Sequence, residues 1–276
     1  MAPDFARAVF FLETPRGRRF CVASIPAEPP LGTVLYFPPF AGEMNESRRM
    51  AALTARALAS RGWLVLQPDL GGCGDSEGDF GCAAWHGWIE DMDAAWNWLI
   101  GRAPEGRRVL WTLRAGSLLA DGWLYATGHR PDLLLWQPVL DGEQYLQQFL
   151  RPEPARRASA ETSVCPAIAW MRERLDGGVA VEVAGYAPSL SLAQNLAVAR
   201  FSLPEGYGGR VDMIETGLWA GAPSSPLAAL RETLAASGVR ATACKVAGPA
   251  FWQAQAAGEA PALLEKTLAV LDGARS

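Results

Sequence analysis

Histidine is almost missing from this chain, with only His86 and His129 among 276 residues. Catalysis that needs a general base at neutral pH most often draws on imidazole, so the shortage narrows the available chemistry at once. Lysine is equally scarce, since Lys245 and Lys266 are the only lysines among 25 basic residues. The Gly-rich stretch Gly71-Gly72-Cys73-Gly74-Asp75-Ser76 therefore lacks the lysine of a nucleotide phosphate loop. No apolar run approaches the about 18 residues that a membrane span takes. The first nineteen residues hold no signal-like stretch. Five cysteines, Cys21, Cys73, Cys82, Cys165 and Cys244, are odd in number and form no C-x-x-C pair. They suit reduced thiols, and with them a cytoplasmic location. A net charge of -4 argues against a nucleic-acid partner.

What is present is apolar material, half of the chain by composition. That is enough for a buried sheet covered on both faces, so no metal or cofactor is expected in a structural role. Ala8–Leu12 and Phe20–Ile25 read as an opening strand pair, and Gly32–Phe37, Trp63–Gln67, Arg108–Thr112 and Leu133–Gln137 as further strands. Helices are expected over Arg48–Arg61, Ala83–Ile100 and Ala115–Ala126, with Asn45-Glu46-Ser47 capping the first. Alternation breaks after Pro138 and resumes with the strand Val211–Glu215, a helix near Pro226–Ser237, the strand Val239–Val246 and a helix from Ala260. The pattern predicts an α/β fold with a doubly wound, mostly parallel sheet. Its core is expected at 1–140 and 210–276, with 141–209 as an inserted cap that includes a β-like VAVEVAGY.

The run from Val109 to Ala120 passes from strand through a tight turn into a helix. This resembles the nucleophile elbow of α/β-hydrolases, where small residues flank a G-x-S-x-G serine. Aligned on that pattern, Thr112-Leu113-Arg114-Ala115-Gly116 fills the five positions, and Arg114 stands where the nucleophile would be. A guanidinium stays protonated and cannot attack a carbonyl. Ser117 falls one turn later and is expected to point away from the tip. The loop after the last strand, Val246 to Trp252, has no histidine to serve as base, and Glu215 is the one carboxylate near the position of the triad acid.

Further stretches carry a more specific likeness. Pro38-Pro39-Phe40-Ala41-Gly42-Glu43-Met44-Asn45-Glu46-Ser47-Arg48-Arg49-Met50, Pro68–Ser76, Leu135-Trp136-Gln137-Pro138-Val139 and Gly248–Trp252, with Leu113–Gly116, resemble the exosortase A system-associated hydrolases of type 2. The resemblance implies an α/β-hydrolase fold and a place beside bacterial protein-sorting and exopolysaccharide systems, with a possible protein partner there. It also implies that an arginine at the elbow is typical.

The residues at the strand ends then suggest an anion site. The helix after Ala115 directs N–H groups at the pocket, the loop at Phe40 and Ala41 is where a second oxyanion donor sits, and Arg114 adds a fork of donors. A small carboxylate or phosphate, bound by Arg114, Ala115, Phe40, Ala41 and Glu43, is the expected ligand. Arg114 is alternatively neutralised from within, by Glu43 or Glu215. An active hydrolase or acyltransferase using Glu43, Glu215 or Cys73 is the rival reading. Asp69, Asp75, Glu77 and Asp79 form an acidic loop, read as solvated. Trp63, Trp111 and Trp136 lie within strands and are expected in the core.

Overall fold

The structure is a computed structural model that describes residues 4–103, 105–150, 167–177, 181–253 and 258–273. Eight strands form one sheet: β1 (Phe5–Thr14), β2 (Gly17–Pro26), β3 (Gly32–Phe37), β4 (Trp63–Pro68), β5 (Arg107–Leu113), β6 (Asp132–Trp136), β7 (Val211–Gly217) and β8 (Ala241–Ala247). Their order is β1-β2-β4-β3-β5-β6-β7-β8. β1 and β2 form an antiparallel hairpin, β2 meets β4 antiparallel, and every later pairing is parallel.

Alternation along each central strand sorts side chains to two cores. Val34, Tyr36, Val109, Trp111, Leu113, Leu134 and Trp136 enter one core, while Leu35, Phe37, Leu110, Leu133 and Leu135 enter the other. Trp63, Trp111 and Trp136 are all buried, as their strand positions require. The first core is covered by α1 (Ala41–Ala59) and α8 (Pro261–Gly273), the second by α2 (Trp85–Arg102), α3 (Gly116–Thr127) and α7 (Ser225–Ala236).

Several boundaries differ from the sequence reading. α1 begins at Ala41, not Arg48, so Asn45, Glu46 and Ser47 are helical rather than capping. Pro38 and Pro39 hold the preceding chain extended. Phe40 is then the N-cap, with no side-chain cap bond. Buried Ser47 turns its hydroxyl to Met44 O at 3.1 Å, and Asn45 reaches outward to Tyr186. The described part of VAVEVAGY, residues 181–186, is not a strand. Within it Val183 and Tyr186 form one bridge around Ala184 and Gly185, both with positive φ. The first two residues of VAVEVAGY, the Arg/Pro/Ala stretch at 151–160 and Cys165 lie outside the described residues.

Between β6 and β7 run α4 (Gly142–Leu150), α5 (Ala167–Asp176) and α6 (Leu190–Val198), which pack on one another, with α6 also on α2. No helix of the described residues is long and apolar enough to cross a membrane.

The topology decides where a site can form. From β3 the chain goes through α1 to β4 on one side, and from β5 through α3 to β6 on the other. The crevice at such a reversal opens beyond the carboxyl ends of the two strands, here after Phe37 and Leu113.

Asp121, on α3, anchors the chain as it returns from α6 towards β7. It is buried, and its Oδ1 accepts from Leu203 N at 2.8 Å and Ser202 N at 3.3 Å. Burial pushes its carboxyl up to about 6 from 3.8, and the two N–H bonds only partly offset this. A folded-state pKa above the unfolded one stabilises fully below the unfolded value and is lost as pH rises through the folded value. Asp121 is thus least costly below pH 3.8 and most costly above about 6, a difference of about 3 kcal/mol. Asp121→Asn keeps an acceptor and drops the charge. It is expected to raise urea-unfolding stability by about 1–3 kcal/mol at pH 8. The gain should fade towards pH 4, and a gain of equal size at both pH values would contradict the assignment.

Candidate functional site

The bend after β5 depends on packing that admits no bulk. A Cβ added to Gly116 would lie 2.2 Å from Phe37 O, inside any allowed contact. Arg114, two residues earlier, takes the left-handed region with φ 52°, which costs a branched or long residue roughly 1–3 kcal/mol. Hydrogen bonds fix it there. Arg114 N donates to Trp136 O at 3.1 Å, and Arg114 O accepts from Ser117 N at 3.1 Å and Val139 N at 3.3 Å. The Ser117 hydroxyl lies 2.8 Å from Arg114 O and 2.7 Å from Val139 O, so its single proton serves the two carbonyls. Ser117 is fully buried and braces the bend from beneath. Its expected turn away from the tip is what the structure shows.

The Arg114 side chain is 17% exposed and donates from Nε to Glu43 Oε1 at 3.0 Å. Tyr145, on α4, donates its hydroxyl to Glu43 Oε2 at 2.8 Å. The guanidinium carbon stands 5.6 Å from the Tyr145 ring and 5.6 Å from the Trp252 ring, within cation–π range of both. Nη1 and Nη2 have no acceptor among the described residues. Trp252 is buried, and its Nε1 also lacks one. Phe40 is buried between rings of Trp88, Tyr145 and Phe149, and Ala41 behind it has φ 55°. Ala115 is the N-cap of α3 and supplies no side-chain cap.

Of the two carboxylates open to Arg114, the structure selects Glu43. Glu215 is buried elsewhere, accepting from Ser224 N at 2.7 Å and Ser224 Oγ at 2.5 Å at the start of α7. Cys73 is buried, and burial, with the Asp69 and Asp91 charges, pushes its thiol up to about 12. It stays protonated at neutral pH and is a poor nucleophile. In the acidic loop Asp75, Glu77 and Asp79 are exposed, as a solvated loop requires, and only Asp69 of the four is buried. Asp69 takes Arg48 at 2.8 Å, Glu77 takes Arg18 at 2.6 Å, and Asp79 accepts from Gly81 N at 2.6 Å. His86 pairs with Glu90 at 3.1 Å, and His129 stacks on Trp123 with centroids 5.1 Å apart. Neither imidazole contacts Arg114.

Two members of the site escaped the sequence reading. Tyr145 gives no local signal, because nothing in an amphipathic helix marks which aromatic reaches a carboxylate 102 residues away. Trp252 lies in the stretch already singled out for its likeness to other chains, on the loop after the last strand.

Removing one ion-pair partner leaves the other partly buried and unpaired. Glu43→Ala and Arg114→Ala should each destabilise by about 1–3 kcal/mol. The double variant should cost at least about 1 kcal/mol less than their sum. Strict additivity in urea unfolding would show the pair to be energetically idle. Gly116→Ala, with its backbone clash, should cost about 2–4 kcal/mol by the same measurement.

No protein-family model matches the chain, and no curated protein does. Solved structures do. An α/β serine hydrolase without a lid from Xanthomonas campestris is 16% identical with a TM-score of 0.56, over 98% of this chain and 94% of that one. Est1E from Butyrivibrio proteoclasticus, with ferulic acid bound, is 13% identical with a TM-score of 0.66, over 95% and 96%. A thermostable carboxyl esterase from Bacillus coagulans is 13% identical with a TM-score of 0.56, over 88% and 90%. At these identities the likeness concerns architecture, and together with the strand order it establishes that this protein has the α/β-hydrolase fold.

Proposed function

We propose that this protein is a binding or interaction module on a hydrolase scaffold, and that its elbow holds an anion through Arg114 instead of carrying out ester chemistry. One observation carries the reading. Among the described residues only Nε of the guanidinium's donors has an acceptor, and Nη1 and Nη2 have none. A carboxylate or phosphate matches that planar pair of donors. Glu43 positions the arginine, while the start of α3 at Ala115 and the loop at Phe40 and Ala41 add partial positive charge. The α4–α6 segment acts as a cap, with Tyr145 as its contact to the site.

The ligand is a small acid, or an acidic group on a peptide or lipid-linked sugar. The resemblance to exosortase A system-associated hydrolases supports a role in an exopolysaccharide or protein-sorting system. Conventional hydrolysis has little support at this elbow, which carries a cation where a nucleophile would stand and touches no imidazole. A protonated, buried Cys73 and a doubly bonded Glu43 also weigh against chemistry by those residues.

Melting temperature is the direct test. Acetate, succinate, inorganic phosphate and a phosphosugar should include at least one anion that raises it by several degrees, and Arg114→Ala should abolish the shift. No shift with any anion, or the same shift in Arg114→Ala, would sink the binding reading. Turnover of aryl esters or thioesters that is lost in Glu43→Gln or Cys73→Ala would replace it with an enzymatic one.

A further inference from the structure

A second site lies on another face of α1, and its argument does not rest on the anion reading. A cavity of about 270 Å³ opens between the first turns of α1, the Gly-rich loop after β4 and the segment around Tyr186. Ala41, Met44 and Asn45 supply one wall, at the i, i+3, i+4 spacing that puts side chains on one helix face. Cys73 and Phe80 supply the opposite wall, and Tyr186 the rim. Ala41, Met44 and Cys73 are buried, whereas Asn45 is exposed and Tyr186 half-buried. The buried wall side chains are thus apolar, and the exposed Asn45 is polar. Arg114 does not line it.

The chemistry of the walls selects a ligand class. Thioether and thiol sulfur beside the rings of Phe80 and Tyr186 is the soft, polarizable surface that aromatic rings favour. Phe80 and Tyr186 stand nearly perpendicular, with centroids 5.5 Å apart at 79°, so a flat guest meets one ring by its face and the other by its edge. Size sets the limit. A dry apolar cavity of about 150 Å³ accommodates benzene, so one of about 270 Å³ has room for two fused rings. At the mouth Asn45 Nδ2 donates to the Tyr186 hydroxyl at 2.6 Å. That bond leaves the Asn45 carbonyl oxygen as an acceptor and the Tyr186 proton as a donor, enough for one polar group on the guest.

We infer that this cavity binds a small, uncharged, planar aromatic molecule of one or two rings bearing a single N–H or O–H group, with its ring against Met44, Cys73 and Phe80 and its polar group at Asn45 and Tyr186. The thiol is a wall in this site, and no bond to it forms. The Asn45–Tyr186 hydrogen bond is the clasp that joins α1 to the inserted segment across the mouth.

Indole is the probe, added to the full chain carrying methyl-labelled methionine. The six methionines give separable resonances, and Met44→Leu assigns the relevant one. Ring current should move the Met44 methyl saturably. Met44→Trp, which fills the cavity, should weaken indole binding at least about tenfold, and Tyr186→Phe about threefold. Glucose should leave the resonance in place, and phosphate should not displace indole. A Met44 methyl that stays still at saturating indole overturns the inference on the wild-type protein alone, whether or not Met44→Trp folds. Undiminished binding to a folded Met44→Trp overturns it as well. Displacement by phosphate would merge the two sites and refute their separateness, while an unshifted melting temperature with every anion would touch only the Arg114 reading.

Discussion

A permanently charged side chain at a left-handed bend is the constraint around which the carboxyl end of this sheet is organised. Arg114 cannot discharge by losing a proton, and at 17% exposure it has left most of its water behind. Its charge must be met from within the fold. Glu43 meets it at 3.0 Å, and Tyr145 holds Glu43 by the other oxygen. Trp252 completes the enclosure from the loop after β8. The β5–α3 bend, α1, α4 and the last loop thus converge on one guanidinium, although they come from widely separated parts of the sequence.

Backbone strain follows the same geography. Ala41 after β3, Arg114 after β5 and Gln137 after β6 all have positive φ without being glycine. Such residues persist only where neighbours over-determine them. Gln137 illustrates how, since its N donates to Ile214 O at 2.9 Å while its side-chain oxygen accepts from Thr216 N at 3.0 Å. Three such residues thus stand beyond the ends of three neighbouring parallel strands, around the crevice floor.

Much of this was legible in the residues. Strand positions follow from period-two alternation, and the bend follows from Leu113-Arg114-Ala115-Gly116, where only a glycine tolerates Phe37 O so close. Asn45-Glu46-Ser47 has the composition of a cap, yet two prolines and an extended Phe40 set the helix going four residues earlier. VAVEVAGY alternates like a strand, but Ala184 and Gly185 turn it back on itself. The partner of Arg114 could be narrowed to two carboxylates and no further. Choosing between them requires knowing that Ser224 occupies Glu215 at the head of α7, which is a tertiary fact. Tyr145 was unreadable for the same reason.

The bend carries a positive charge, Arg114, at the position that a nucleophile takes in the elbow pattern. A nucleophile's elbow is built for negative charge developing during reaction, and helix N-termini with partial positive charge serve that purpose. Placing a cation among the same helix ends is unfavourable unless an anion comes with it. Glu43, in the first turn of α1, is that anion, and it also suits the positive end of its own helix. One carboxylate nevertheless faces one guanidinium and the starts of two helices, so the cluster keeps a surplus of positive partial charge. The Arg114 donors turned away from Glu43 and the buried Trp252 Nε1 have no acceptor among the described residues. The helix ends that would face a developing oxyanion at a nucleophile's elbow face an arginine and its glutamate here.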